Sequence, residues 1–65
     1  MTTASEVADT LIEFDQLPSW KQKMAKEIVA RMWLELALWP DLTEEIVADT
    51  RNALDTLRGT DDILQ

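Results

Sequence analysis

The chain has 65 residues and a mass of 7.4 kDa, with six Lys and Arg against 13 Asp and Glu and a formal net charge of −7. This length predicts one domain, residues 1–65, which buries only about 60% of the surface that its unfolded chain exposes. The chain has no Cys and no His, which excludes disulfides and zinc sites, two common supplements to a small core. We therefore expect self-association or a partner protein to complete the fold.

The acidic surface also limits the partners. Phosphate backbones and anionic membranes repel such a charge, and the apolar run over residues 28–39 is too short to cross a bilayer and contains Arg31 and Glu35. The N-terminus has no signal-peptide pattern. We expect a cytoplasmic protein with no direct nucleic-acid or membrane binding, no cofactor and no small-molecule substrate.

The first predicted element is a helix over about residues 4–16. Thr3 and Glu6 have the spacing of a capping box, and Leu17-Pro18 ends the helix. The residues predicted to face inward are Val7, Ala8, Leu11, Ile12 and Phe14.

A longer central helix is predicted over about residues 20–38. Ser19 and Gln22 repeat the capping-box spacing, and Trp39-Pro40 closes the helix. One row at i to i+4 spacing is predicted to pack in the core, and it consists of Trp20, Met24, Ile28 and Met32.

The third predicted helix covers about residues 44–58, with Thr43 as N-cap and Gly59 as its stop. Leu42 and Val47 occupy the two positions of a hydrophobic staple. The residues predicted to face inward are Ile46, Val47, Thr50, Ala53, Leu54 and Leu57, and an acidic tail follows over 60–65. The pattern predicts an all-α fold, a small three-helix bundle with a long central helix, completed by homodimerisation.

The central helix has more apolar surface than a chain of this size can bury, because Arg31 and Glu35 share one narrow sector and apolar side chains occupy most of the rest. For Trp33 and Trp39, core and interface roles are equally open. The predicted partner-binding residues are Met32, Trp33, Leu34, Leu36, Ala37 and Trp39.

Glu6, Asp9 and Glu13 form an acidic stripe on the first predicted helix. Such stripes are ordinarily solvated faces. The alternative is phosphate mimicry, in which carboxylates occupy the basic groove of a nucleic-acid-binding enzyme, as small acidic inhibitors from phages and mobile elements do. An antitoxin that masks such an enzyme is a related alternative.

Catalysis is not expected. Without His, Cys or Tyr, the only acid–base candidates are carboxylate pairs such as Glu44-Glu45 and Asp61-Asp62, which fall at a helix end and in the tail where water is plentiful. The sequence therefore predicts a non-enzymatic, homodimeric interaction module that binds or regulates a protein through its central helix.

The order Leu17-Pro18, helix, acidic turn, helix, Arg58-Gly59 resembles that of small helical antitoxins of addiction modules. Its elements occur in many helical proteins, so no functional residue is assigned from the resemblance. What it implies is the masking of a toxin protein, which the antitoxin alternative already covers.

Overall fold

The computed structural model describes residues 3–59, and within this range it contains helices and no strand. The elements in chain order are α1 (Ala4–Asp9), a 3-10 helix (Thr10–Phe14), α2 (Ser19–Leu38), a 3-10 turn (Pro40–Leu42) and α3 (Thr43–Gly59). The predicted all-α fold with three helices and a long central one is confirmed. The predicted tail lies outside the described residues.

The start of α1 is the predicted capping box. Thr3 Oγ1 accepts a hydrogen bond from the Glu6 amide at 3.2 Å, and Glu6 Oε1 accepts one from the Thr3 amide at 2.8 Å. The prediction of one continuous helix to residue 16 is wrong, because the chain tightens into the 3-10 helix at Thr10. Three residues per turn align Leu11 with Phe14 on the core side and leave Ile12 on the surface, 72% exposed.

The start of α2 differs from its prediction. Pro18 is the N-cap and no side chain caps the helix, so the prediction of a capping box formed by Ser19 and Gln22 is wrong. The Gln22 amide instead donates to the carbonyl oxygens of Asp15 and Leu17, at 3.1 and 2.8 Å. This side chain ties the first turns of α2 to the segment that leads into it.

The predicted core row of α2 is confirmed at Met32, which is buried, and Ile28 packs partly against the core, but the other buried positions lie one residue after the predicted ones. Ala25 and Met32 are fully buried. Trp20 and Met24 are 43% and 45% exposed, so the prediction that these two residues lie in the core is wrong. Because Ala25 is small, it allows a neighbouring helix to approach closely, which the bulky row does not. The residues buried along α2 are Lys21, Ala25, Val29 and Met32.

The 3-10 turn runs directly into α3. Thr43 Oγ1 donates to the Pro40 carbonyl at 2.7 Å, so its predicted N-cap role is wrong. Ala53 is exposed, against its prediction, and Gly59 has no positive φ, so the left-handed stop is not observed there. The predicted inward residues that are buried are Ile46, Val47, Thr50, Leu54 and Leu57.

The 3-10 helix and the start of α2 both contact the C-terminal end of α3. Arg58 pairs with Glu13 of the 3-10 helix and with Asp55 of its own helix, and the buried Lys21 places its ammonium 3.5 Å from the Arg58 carbonyl. The 20 residues of α2 extend about 30 Å, whereas α1 and its 3-10 continuation extend only about 19 Å. The last turns of α2 therefore extend beyond the layer that α1 supplies.

Candidate protein-binding face of the second helix

Large apolar side chains remain exposed mainly on α2 and at its C-terminal end. Exposed apolar residues are ordinary when scattered, whereas a contiguous patch indicates an interaction surface. The exposed large apolar residues are Ile12, Trp20, Met24, Trp33, Leu34, Leu38, Trp39 and Leu42.

Five exposed residues of the second half of α2 form one surface, named here the outer apolar face: Ala30, Trp33, Leu34, Ala37 and Leu38. At about 100° per residue, Ala30, Leu34 and Ala37 lie within roughly 60° of one another. Trp33 and Leu38 flank this centre line on either side and are 47% and 57% exposed, while Leu34 is 59% exposed. This face is turned away from the buried row of the same helix.

Two further large apolar side chains are exposed just after the end of α2. Trp39 leaves the helix with φ −132° and is 51% exposed, and Leu42 follows at 43%. With aromatic side chains of ~150–250 Å² each, the face and this end together expose roughly 500 Å², near the upper limit of the ~300–600 Å² that a monomer shows as its largest apolar patch. This area lies within the range of a monomer's largest apolar patch, which is often functional.

The predicted partner-binding residues are placed differently by the fold. Trp33, Leu34, Ala37 and Trp39 are exposed, and Leu36 packs partly against the core. The prediction that Met32 binds a partner is wrong. Its side chain is fully buried on the same side of α2 as Ala25 and therefore cannot contact a partner.

Two residues of the face, Ala30 and Leu38, are absent from the predicted set. The signal that identifies them is helical spacing, because both lie four residues from Leu34 and therefore share its side of the helix.

The acidic stripe lies along a cleft of about 480 Å³ between α1 and α3. Hydrogen bonds from the backbone and side chain of Thr3 lower the pKa of Glu6, and attraction to Arg51 adds to this more weakly. Glu13 is paired with Arg58. Two arginines, Arg51 and Arg58, thus line the cleft together with its carboxylates, so it is not the uniform row of negative charge that a nucleic-acid backbone presents.

Among residues 3–59, no group of three or more Asp or Glu side chains is arranged to hold a metal ion. No helix in the same range combines the length and apolar character needed to traverse a bilayer. Comparisons with protein-family models, with characterised proteins and with solved structures give no match to this chain.

Proposed function

We propose that this protein is a non-catalytic protein–protein interaction module that binds a second copy of itself through the outer apolar face of α2. The observation that carries the proposal is the exposure of Trp33, Leu34 and Leu38 along one side of a helix whose other side already fills the core. Half-exposed tryptophans favour binding energetically, since a buried aromatic anchor contributes about 2 kcal/mol or more to an interface.

The small size of the fold supports the same proposal. A domain of this length is marginally stable, and without Cys or His it has neither a disulfide nor a zinc site to supplement its core. Binding to a second chain stabilises the folded state by mass action. A homodimer would therefore add stability that the small core does not supply by itself. A partner protein that binds the same face would compete with the second copy, which would allow this protein to regulate that partner.

The acidic-inhibitor hypothesis, with its antitoxin variant, has less support. A phosphate mimic needs several unneutralised carboxylates in a row, but Glu13 is engaged by Arg58 and Glu6 by the Thr3 cap. Asp9, the third predicted residue, takes part in neither the Arg58 ion pair nor the Thr3 cap. We therefore assign the cleft a structural role.

The proposal is tested by light scattering on the purified protein at about 100 µM. We expect a dimer for the parent chain and a monomer for Leu34→Asp, because burying an unpaired carboxylate at the interface costs several kcal/mol. The matched control is Ile12→Asp, which places the same charge at a residue that is more exposed and lies on the 3-10 helix.

The control should remain dimeric, and both variants should keep the circular dichroism of the parent. A parent chain that is monomeric at this concentration would contradict the proposal, as would a Leu34→Asp variant that dimerises like the parent.

A further inference from the structure

A groove lies between α2 and α3, apart from the surface that the proposed function uses. Its volume is about 330 Å³, and its apolar lining includes Met24, Ile28 and Ala53. Met24 is 45% exposed and Ala53 is also exposed, while Ile28 packs partly against the core. At about 100° per residue, Ile28 and Leu34 point roughly 120° apart on α2. The groove and the outer apolar face are therefore separate surfaces.

Carboxylates from both helices line the same groove. Glu27 and Glu35 belong to α2 and Asp49 to α3. Within residues 3–59, none of these three carboxylates takes part in an ion pair. Arg31 is the basic residue of the lining, so three carboxylates against one guanidinium leave an excess of two negative charges around an apolar centre.

The other basic side chains of α2 and α3 lie outside the groove. Both arginines of α3, Arg51 and Arg58, line the cleft toward α1. Lys23 and Lys26 of α2 are exposed outside the lining. At 1.5 Å per residue, Glu35 lies about 14 Å beyond Lys26 along the helix, which is more than the distance of about 8 Å over which physiological salt lets exposed charges interact.

We propose that this groove binds a basic amphipathic helix of a partner protein, with one apolar side chain in the groove and Lys or Arg on either side of it. Apolar grooves accept the apolar face of such helices, and the flexible side chain of Met24 lets the groove adjust to its occupant. Glu27 and Glu35 are eight residues apart, about 12 Å along α2. A helix that lies along the groove meets both carboxylates when its basic residues lie four positions before and after the apolar anchor.

Charge selects a basic occupant over the alternatives. A docked helix takes Glu27 and Asp49 partly out of water, and a carboxylate that loses water without gaining a partner is costly. An acidic or uncharged helix leaves that cost uncompensated, whereas Lys or Arg offsets it. A second copy of this chain carries a net charge of −7, which opposes its approach to an acidic groove.

Binding of a synthetic peptide tests the proposal. The probe has about 18 residues, long enough to form a helix, and its central Leu has Leu three positions and Lys four positions to either side, with Ala and Gln elsewhere. A matched peptide carries Glu in place of the two Lys. Calorimetric titration at about 100 mM salt should show the Lys peptide binding the parent chain at least about tenfold more tightly than the Glu peptide. Equal binding, or no binding of the Lys peptide up to about 1 mM, would overturn the proposal.

Two tryptophan substitutions on α3 locate the bound peptide. Ala53→Trp fills the groove and should weaken binding of the Lys peptide at least about tenfold. Ala48→Trp is the matched control, because Ala48 is also exposed but lies outside the lining, roughly 140° around the helix from Ala53. The control should bind within about twofold of the parent chain, and both variants should keep its circular dichroism. Equal binding by the two variants would contradict the groove as the site.

Single charge changes supply a further readout. Asp49→Asn should weaken binding of the Lys peptide about two- to fivefold, as expected for one exposed ion pair. Arg31→Gln should tighten it by a similar factor, because a like charge is removed from the groove. Asp15→Asn, an exposed carboxylate outside the lining, is the control and should leave binding unchanged. Weaker binding by Arg31→Gln, or equal losses in the two Asp variants, would count against the proposal.

The groove proposal does not depend on self-association. Leu34→Asp, which disrupts the outer apolar face, should still bind the Lys peptide. A peptide that is lost in Leu34→Asp and retained in Ala53→Trp occupies the outer apolar face and overturns the groove proposal. A monomeric parent chain that binds the peptide in the groove overturns self-association alone.

Discussion

Helices α2 and α3 pack against each other but differ in how completely the fold uses their apolar residues. In α3 the large apolar side chains, Ile46, Val47, Leu54 and Leu57, are all buried, and the exposed side of the helix is polar apart from small alanines. In α2 several large apolar side chains are exposed, among them Trp33 and Leu34.

The difference shows that folding alone explains the composition of α3 but not that of α2. A helix that only contributes to a core needs one apolar stripe and a polar remainder. Helix α2 has that stripe in Ala25, Val29 and Met32, and it carries a second apolar surface on the other side. The proposed function rests on this second surface.

The largest expected effect separates buried from exposed positions of α2 with two methionine substitutions. Met32→Ala should lower the free energy of unfolding by about 2–5 kcal/mol, because the side chain is fully buried and its removal leaves a cavity. Met24→Ala, on the same helix but 45% exposed, should cost less than about 1 kcal/mol. Urea denaturation followed by circular dichroism measures both, and equal losses would contradict the assignment of Met32 to the core.

A smaller effect is expected where α2 supports the end of α3. Lys21 is 5% exposed, and its ammonium lies 3.5 Å from the Arg58 carbonyl and 5.6 Å from the centre of the Trp20 ring. Lys21→Ala should destabilise the protein by about 2 kcal/mol, because it removes buried methylenes and a cation at a helix C-terminus. The exposed Lys23→Ala is the control and should change stability by at most about 0.5 kcal/mol. A Lys21→Ala variant as stable as this control would refute the contact.

The smallest expected effect lies at the cap of α1. Thr3→Ala should destabilise the protein by about 1 kcal/mol, the usual loss for an N-cap side chain. It should raise the pKa of Glu6 only part of the way toward its ordinary value, because it removes the hydrogen bond of the Thr3 side chain but keeps that of the Thr3 backbone amide, which is the larger cause of the lowering. The exposed Ser5→Ala should leave the Glu6 pKa unchanged. Carboxyl NMR titration measures both variants.

The pH dependence follows from the same shift. Because the pKa of Glu6 is lower in the folded state than in the unfolded state, its contribution is complete above the unfolded pKa and is lost as the pH falls through the folded value. The parent chain should therefore lose more stability than Thr3→Ala as the pH falls through the folded pKa of Glu6. Equal losses in the two chains would contradict the contribution of the Thr3 side chain.

Periodicity was a good guide to α3 and a poor one to the segment before α2. In α3 the apolar residues recur at helical spacing, and only Ala53 among the predicted inward residues is exposed. In residues 10–14 the same rule misplaced Ile12, because a short segment between two helices is shaped by their packing and adopts the tighter 3-10 geometry. Local capping rules succeeded at Thr3 and failed at Ser19 and Thr43.

The candidate face was visible in the sequence as an excess of apolar residues, but its orientation was not. Nearly every side of α2 is apolar, so sequence periodicity could not decide which row the core takes. In the structure the core takes the side of α2 that carries Ala25 and Met32, both fully buried. Trp33 and Leu34 are then exposed, and Trp20 is half exposed.

The concentration dependence of thermal unfolding tests most directly whether the second apolar surface of α2 is buried against another copy. Two-chain unfolding makes the midpoint temperature rise with protein concentration, because dissociation accompanies unfolding. We predict such a rise for the parent chain between about 2 and 200 µM and none for Leu34→Asp. A parent midpoint that is independent of concentration over this hundredfold range would contradict the account.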